Sequence, residues 1–110
     1  MTGNEYQQLA SRTINAELTT YEKRQHALFG MASEVGELLG MYQKGYQGHE
    51  LIEEHEQKEI GDILWMVAEY CTTQGWELED IMQLNIDKLR ARYPEGFDVE
   101  RANHRKEGDI

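Results

Sequence analysis

The sequence predicts an all-α protein, a compact bundle of four main helices that is completed by oligomerisation. Three observations support this fold class. The 110-residue chain contains a single proline, Pro94, and long stretches rich in Glu, Gln, Leu, Met, Ala and Lys, which favour helix. Apolar residues recur at helical spacing on both sides of the glycine-containing break at 45–48. A chain of this length builds one core, and self-association commonly completes the burial of its apolar surface.

Local signals place each helix in turn. We expect helices at about 4–15, 20–44, 51–74 and 77–92. Thr19 or Thr20 can cap the second, Gly75 is placed to end the third, and the fourth ends before Pro94. Glu77 is a poor N-cap for the fourth helix, where only its charge helps. The chain thus divides into a helical catalytic domain, 1–97, and a polar tail, 98–110, which has few apolar anchors and is expected to be frayed.

The two central helices each carry an apolar stripe, and we expect the stripes to pack together. The stripe residues are Leu28, Met31, Val35, Leu38, Leu39 and Tyr42 on the second helix, and Ile60, Ile63, Leu64, Val67 and Cys71 on the third. Gly36, Gly40 and Gly61 fall inside these helices, where each costs about 0.5–1 kcal/mol relative to Ala. Close approach of two helices is the expected reason for them.

Composition excludes several classes of function. With 21 acidic and 11 basic residues the formal net charge is −10, so a nucleic-acid polymer or an anionic membrane is not an expected partner. The single Cys71 excludes an intramolecular disulfide framework and indicates a reducing, cytoplasmic setting. No apolar run approaches the roughly 18 residues of a membrane span, and the N-terminus lacks the features of a signal peptide. A phosphate-bearing nucleotide fits these limits if metal or a few cations mask its charge.

A repeated acidic motif predicts a metal site. Glu34-Val-Gly-Glu37-Leu-Leu returns 25 positions later as Glu59-Ile-Gly-Asp62-Ile-Leu. Acids at i and i+3 project from one helix face, so two such helices side by side surround a small volume with four carboxylates. Carboxylates so close need protons or divalent cations to neutralise them. A hard cation such as Mg²⁺, or Mn²⁺, suits an all-oxygen site.

Other metal sites fit less well. A ferritin-type di-iron site uses Glu-x-x-His, and no Glu here has a His three residues later. An EF-hand would need an Asp-rich loop with its glycine and closing glutamate, which the chain lacks. The remaining possibility is Mg²⁺ that carries waters and substrate phosphates.

Taken together, these motifs resemble a known family. Glu34-x-x-Glu37, a gap of 21 residues and Glu59-x-x-Asp62 are followed by Asn85-x-x-Lys88-Leu-x-x-Arg92-Tyr-Pro-x-Gly-Phe97. This pattern is similar to the MazG-like, all-α nucleoside triphosphate pyrophosphohydrolases, over about Tyr6 to Phe97. The resemblance implies a Mg²⁺-dependent enzyme that cleaves a nucleoside triphosphate (NTP or dNTP) between its α and β phosphates, giving the monophosphate and pyrophosphate. It also implies that the four acids are the metal ligands and the catalytic residues.

Substrate contacts are predicted from residue chemistry at positions near the motif. Lys44, Asn85, Lys88 and Arg92 are candidates for the phosphates, because Lys and Arg pair with phosphoryl oxygens and Asn donates without adding charge. A mid-helix Asn is also disfavoured by propensity and calls for a compensating contact. Candidates for stacking or contacting the base are Trp65, His26, Tyr42 and Tyr46.

Four positions depart from the family pattern and leave alternatives open. Members often carry Asn at the position of His26, an acid at Gly40, a basic pair where only Lys44 follows Gln43, and Tyr at Met66. The departures motivate a second reading, a non-catalytic module that binds metal and nucleotide or regulates a partner. A third reading is a purely structural bundle with solvated acids. For the enzyme, a homodimer or homotetramer is expected, in which a neighbouring chain can complete the pocket.

Overall fold

The computed structural model describes all residues from Met1 to Ile110 and confirms the all-α fold, with five helices and no strand. The helices are α1 Gly3–Ser11, α2 Thr20–Gly45, α3 Glu53–Gln74, α4 Leu78–Arg92 and α5 Val99–Asn103. The chain forms two compact units, Met1–Leu78 and Glu79–Ile110. None of the helices combines the length and apolar character that crossing a membrane requires.

Local capping explains where the helices of the first unit begin and end. The Thr19 side chain accepts a hydrogen bond from Glu22 N at 3.1 Å, and Glu22 accepts one from Thr19 N at 2.9 Å, which completes a capping box. Gly75 follows α3 in the left-handed conformation, with φ of 74°, where glycine is unstrained. Both predicted signals are confirmed. Helix α1 is shorter than expected and ends at Ser11, after which a turn leads towards α2.

Helix α4 begins with a cap that comes from elsewhere in the chain. Leu78 N donates to the Gln7 side chain of α1 at 2.7 Å. The amide group of Gln7 also donates to Trp76 O at 2.8 Å and to Thr72 Oγ1 at 3.1 Å. A distant glutamine therefore satisfies an end that the local sequence caps poorly.

Helix α3 is central to the first unit because both α1 and α2 pack on it. Ala27 and Met66 are buried at the α2 side, where Gly30 allows Met66 to approach the backbone of α2. The predicted stripes do not form this contact as a whole. Leu28, Val35, Leu39, Ile60 and Leu64 are between 40% and 62% exposed. The seam lies to one side of the stripes, where Ala27 is buried and Gly30 leaves room for Met66.

The interior glycines predicted to allow close helix approach do not do so. A methyl group added at Gly36, Gly40 or Gly61 would meet no neighbouring atom within 4 Å, whereas one added at Gly30 would collide with the Met66 thioether. The close approach occurs at Gly30 instead, because the register between α2 and α3 places Met66 against it.

The second unit contains α4 and a short helix in the region expected to be frayed. Asp98 caps α5, accepting from Glu100 N at 2.8 Å and from Arg101 N at 3.4 Å. Beyond α5, Arg92 of α4 forms an ion pair with Asp109 at 2.8 Å. A local Asx cap and a long-range ion pair therefore order a segment whose composition lacks apolar anchors.

Candidate metal centre

The antiparallel packing of α2 and α3 brings the two acidic motifs close together. His26 near the start of α2 contacts Glu69 late in α3 at 2.7 Å, whereas Tyr42 late in α2 contacts Glu56 early in α3. The contacts between these ends therefore run in opposite chain directions. Since the acidic motifs lie between them on both helices, their carboxylates meet across the seam.

Three of the four predicted ligands form a cluster. Carboxylate oxygens of Glu34, Glu59 and Asp62 all lie within 4.8 Å of one another, and all three residues are partly buried. Glu37, the fourth acid, is not part of this tight group. It lies beside Glu59 in the same groove and its charge acts on Glu34.

Burial and the crowding of negative charge both raise the pKa of Glu34. Burial raises the pKa of the Glu34 carboxyl above its ordinary value, and the charges of Asp62, Glu59 and Glu37 raise it further. A hydrogen bond with Glu59 acts in the same direction. Proximity to other carboxylates favours the neutral form of an acid, and a divalent cation would relieve the same repulsion.

Glu59 offers an unsatisfied oxygen to the cluster. Its side chain is 13% exposed, and one oxygen lies 3.2 Å from His55 Nε2. The other oxygen, Oε2, is buried and has no hydrogen-bond partner. Such a group is costly to bury unless something binds it. The hard oxygen donors and this orphaned atom together fit a divalent cation such as Mg²⁺.

A groove of about 270 Å³ runs from the acids along α2. Glu37, Lys44, His55 and Glu59 line it, together with Gly36 and Gly40. The two glycines present no side chain to this groove, so they leave room for a ligand rather than for another helix. Lys44 is the one predicted phosphate contact that shares a groove with the acids.

Beside Asp62 lies a larger and mostly apolar cavity of about 740 Å³ between α1 and α3. Its lining includes Tyr6, Leu9, Gly61 and Trp65. The Trp65 indole donates to Thr13 Oγ1 at 2.8 Å, which fixes the ring against the segment after α1. Burial raises the pKa of Tyr6, and the Asp62 charge adds to the effect. The cavity therefore combines aromatic rings with an edge of the acidic cluster.

Two of the other predicted base contacts, His26 and Tyr42, have partners within the first unit. His26 Nδ1 contacts the buried Glu69 carboxylate at 2.7 Å. Tyr42 donates its hydroxyl to Glu56, which raises the pKa of Tyr42. Tyr46 is 96% exposed after the end of α2. None of these rings lines the two cavities next to the acids.

The remaining phosphate candidates belong to the second unit. Asn85, Lys88 and Arg92 recur at i, i+3 and i+7, which places them on one face of α4. Arg92 pairs with Asp109 through two hydrogen bonds, from Nε at 2.9 Å and from Nη2 at 2.8 Å.

Two residues of the site were missed by sequence reasoning. His55 precedes Glu59 by four residues, an i, i+4 spacing that could have indicated the contact. Tyr6 reaches the neighbourhood of Asp62 only because α1 packs on α3, and no local pattern reports that packing.

Comparison with known proteins adds one match. The model of a protein family described as the MazG nucleotide pyrophosphohydrolase domain matches residues 22–97. The matched range contains both acidic motifs, α3 and α4. Neither the curated proteins nor the solved structures contain a match to this chain.

Proposed function

Because the chain belongs to the MazG nucleotide pyrophosphohydrolase family, we propose that it hydrolyses nucleoside triphosphates with Mg²⁺ to the monophosphate and pyrophosphate. One observation carries the proposal. Oxygens of Glu34, Glu59 and Asp62 converge within 4.8 Å, and Glu59 Oε2 is buried without a partner. A solvated acidic face would not leave a buried carboxylate oxygen unpaired.

Glu34, Glu59 and Asp62 would hold the cation, with Glu37 completing the set from the adjoining groove. A bound Mg²⁺ supplies charge neutralisation at the phosphate oxygens of the substrate. Mn²⁺ suits the same oxygen donors.

The protein's own groups have the remaining tasks of proton transfer and binding. A carboxylate of the set that keeps a free oxygen can accept the proton of the attacking water, as a general base must. The water oxygen then bonds to the phosphorus it attacks, as the bond from that phosphorus to the oxygen bridging the α and β phosphates breaks, and the products are the monophosphate and pyrophosphate. Lys44 shares a groove with Glu37 and Glu59, which supports our assignment of Lys44 as a contact for a substrate phosphate.

We assign further phosphate contacts to the polar face of α4. Asn85, Lys88 and Arg92 share that face, and a guanidinium binds a phosphate through two parallel hydrogen bonds. The short i, i+3, i+7 spacing allows successive phosphates to meet successive side chains.

The cavity between α1 and α3 is our candidate for the base. It borders Asp62, and Trp65 and Tyr6 provide aromatic surface on which a base can stack. His26 lines neither cavity next to the acids and remains a base contact predicted from the sequence alone; its Nδ1 contact with Glu69 orients the ring.

A second copy of the chain is our proposed cover for the exposed stripes. Val35 directly follows Glu34 and Ile60 directly follows Glu59, so in two antiparallel helices both stripes turn to the same side of the pair. That side carries Leu28, Leu39 and Leu64, which are 45–62% exposed. Apolar surface of this extent indicates an interface, and light scattering of the protein in solution measures the subunit number.

Pyrophosphate release from a panel of canonical, deoxy and modified triphosphates tests the enzyme claim. We expect Mg²⁺-dependent turnover that falls at least about 100-fold in Asp62→Asn, given the cost of disturbing a metal shell. Asp87→Asn, which removes the same charge on α4, should stay near wild type, and circular dichroism should show equal helix content. Turnover that survives Asp62→Asn contradicts the ligand assignment. No release with any substrate contradicts the enzyme, and tight metal-dependent nucleotide binding alone would identify the non-catalytic module.

A further inference from the structure

The basic residues of this acidic chain are concentrated around one cavity of the second unit. The cavity has a volume of about 280 Å³, and its lining includes Lys88, Arg92, Arg101, Arg105 and Lys106. These five are nearly half of the 11 lysines and arginines in a chain whose net charge is −10. Cations repel one another at this density, so the arrangement favours an anion between them.

The cavity already contains one anionic group, from the chain itself. The Asp109 carboxylate accepts from Arg92 Nε at 2.9 Å and from Arg92 Nη2 at 2.8 Å, a two-point contact. The two side chains are 10% and 16% exposed. Arg92, Arg105 and Lys88 all lower the pKa of Asp109 below its ordinary value, with Arg92 the main cause. Asp109 is therefore held as a carboxylate by several of the cations around it.

Helix α5 and the turn that follows it place Asp109 beside Arg92. Helix α5 carries Arg101, and the Asp98 side chain caps its start. After α5, Asp109 N donates to Lys106 O at 3.0 Å in a turn, and Gly108 adopts a φ of 88°, which suits glycine. The segment after α5 is thus a short ordered turn whose one acid at the cavity points its oxygens at Arg92.

We propose that this cavity is a phosphoanion site and that Asp109 is its built-in competitor. A carboxylate and a phosphate present the same pair of oxygens to a guanidinium, so one replaces the other at Arg92. Asp109 brings a single negative charge to five cations, whereas pyrophosphate or the phosphate chain of a nucleotide brings several. A phosphoanion that binds Arg92 in the cavity must displace Asp109 from it. The consequence for turnover rests on the proposed function, since it requires that Arg92 meets the substrate.

Calorimetry with inorganic pyrophosphate tests the competition directly. The titration uses the full-length chain in EDTA, so that no divalent metal links the anion to the acidic cluster. We expect Asp109→Asn to bind pyrophosphate about tenfold more tightly than wild type, because the competing charge is gone. Asp109→Glu keeps the charge and should bind as wild type does. Asp87→Asn removes the same charge from α4 outside the cavity and should shift affinity by less than about fivefold, since an exposed charge pair contributes at most about 1 kcal/mol.

Loss of the lining cations gives the opposite result. Arg105→Gln in the Asp109→Asn background should return the affinity towards the wild-type value, because that change removes one of the groups that face the anion. Equal affinity of Asp109→Asn and Asp87→Asn would overturn the proposal, as would pyrophosphate binding that ignores Arg105→Gln. Circular dichroism verifies that each variant keeps its helices.

Failure of this inference can be told apart from failure of the catalytic proposal. The calorimetric measurement needs neither metal nor turnover, so it stands even if no triphosphate is hydrolysed. If the protein is active, Asp109→Asn should lower KM for the triphosphate and leave kcat unchanged, since Asp109 competes with binding and not with chemistry. If the protein is active but Asp109→Asn neither binds pyrophosphate more tightly nor lowers KM, then Asp109 is not a competitor, and the catalytic proposal still stands.

Discussion

Replacing Glu59 by Gln should stabilise the metal-free protein. Glu59 faces Glu34 and Asp62 with oxygens within 4.8 Å, and an ionised pair at that distance repels by about 3.5 kcal/mol at an effective dielectric constant near 20. Burial and the charges of Asp62, Glu59 and Glu37 raise the pKa of Glu34, which reflects the same repulsion. Gln retains an oxygen for His55 and adds an N–H for Glu34. After allowance for solvent screening, we expect a gain of about 1–2 kcal/mol.

Thermal unfolding in EDTA measures the stability of the metal-free protein, and thermal unfolding in Mg²⁺ measures how much the metal adds to it. In a chain of this length, the gain corresponds to a rise in Tm of roughly 4–9 °C for metal-free Glu59→Gln. In wild type, Mg²⁺ at about 100 times its Kd should add about 2.7 kcal/mol, because it binds only the folded state. Glu59→Gln should lose most of that addition. The substitution thus raises stability without metal and removes the response to metal.

Glu17→Gln is the matched control, because Glu17 is an exposed acid in the link between α1 and α2. It should leave both the metal-free Tm and the response to Mg²⁺ near wild type. If metal-free Glu59→Gln melts below wild type, the three carboxylates do not repel as argued. If it keeps the full response to Mg²⁺, Glu59 is not a ligand, and the site must be sought elsewhere.

Two further predictions concern packing and pH. Gly30→Ala should destabilise the fold by about 1–3 kcal/mol, as overpacking does, because the new methyl collides with buried Met66. The methyl of Gly36→Ala meets no atom, so this variant should be more stable than wild type by up to about 1 kcal/mol. Urea unfolding measures both, and equal effects would contradict the register. The raised pKa of Glu34 means that the folded metal-free protein binds more protons than the unfolded chain, so its stability should fall as pH rises above the ordinary value of 4.5 and through the raised pKa. Saturating Mg²⁺ should oppose that fall, and a Glu34→Gln variant whose pH dependence matches wild type would contradict the assignment.

Short-range pattern determined the helices and predicted which acids lie close together. Thr19 and Glu22 are three residues apart, and their reciprocal hydrogen bonds form within one turn. Gly75 ends α3 because only glycine takes a positive φ without strain. The acidic repeat predicted a shared site since i, i+3 spacing alone aims two carboxylates from one face. Each conclusion involves a few bonds of one helix, so neighbouring residues are enough to reach it.

Tertiary structure decided everything that depends on the register between distant segments. Gly30 and Met66, 36 positions apart, lie against each other at the seam between α2 and α3. In that register the stripe residues Val35, Leu39 and Ile60 are 40–62% exposed, and oxygens of three acids, not four, lie within 4.8 Å of one another. Gln7 caps α4 across 71 residues, and Asp109 reaches Arg92 across a second helix and turn. Such contacts require loops to close and side chains to fit, and their energies belong to pairs of segments rather than to either one. The spacing of residues along the sequence does not predict these contacts, because the tertiary packing decides which distant residues meet.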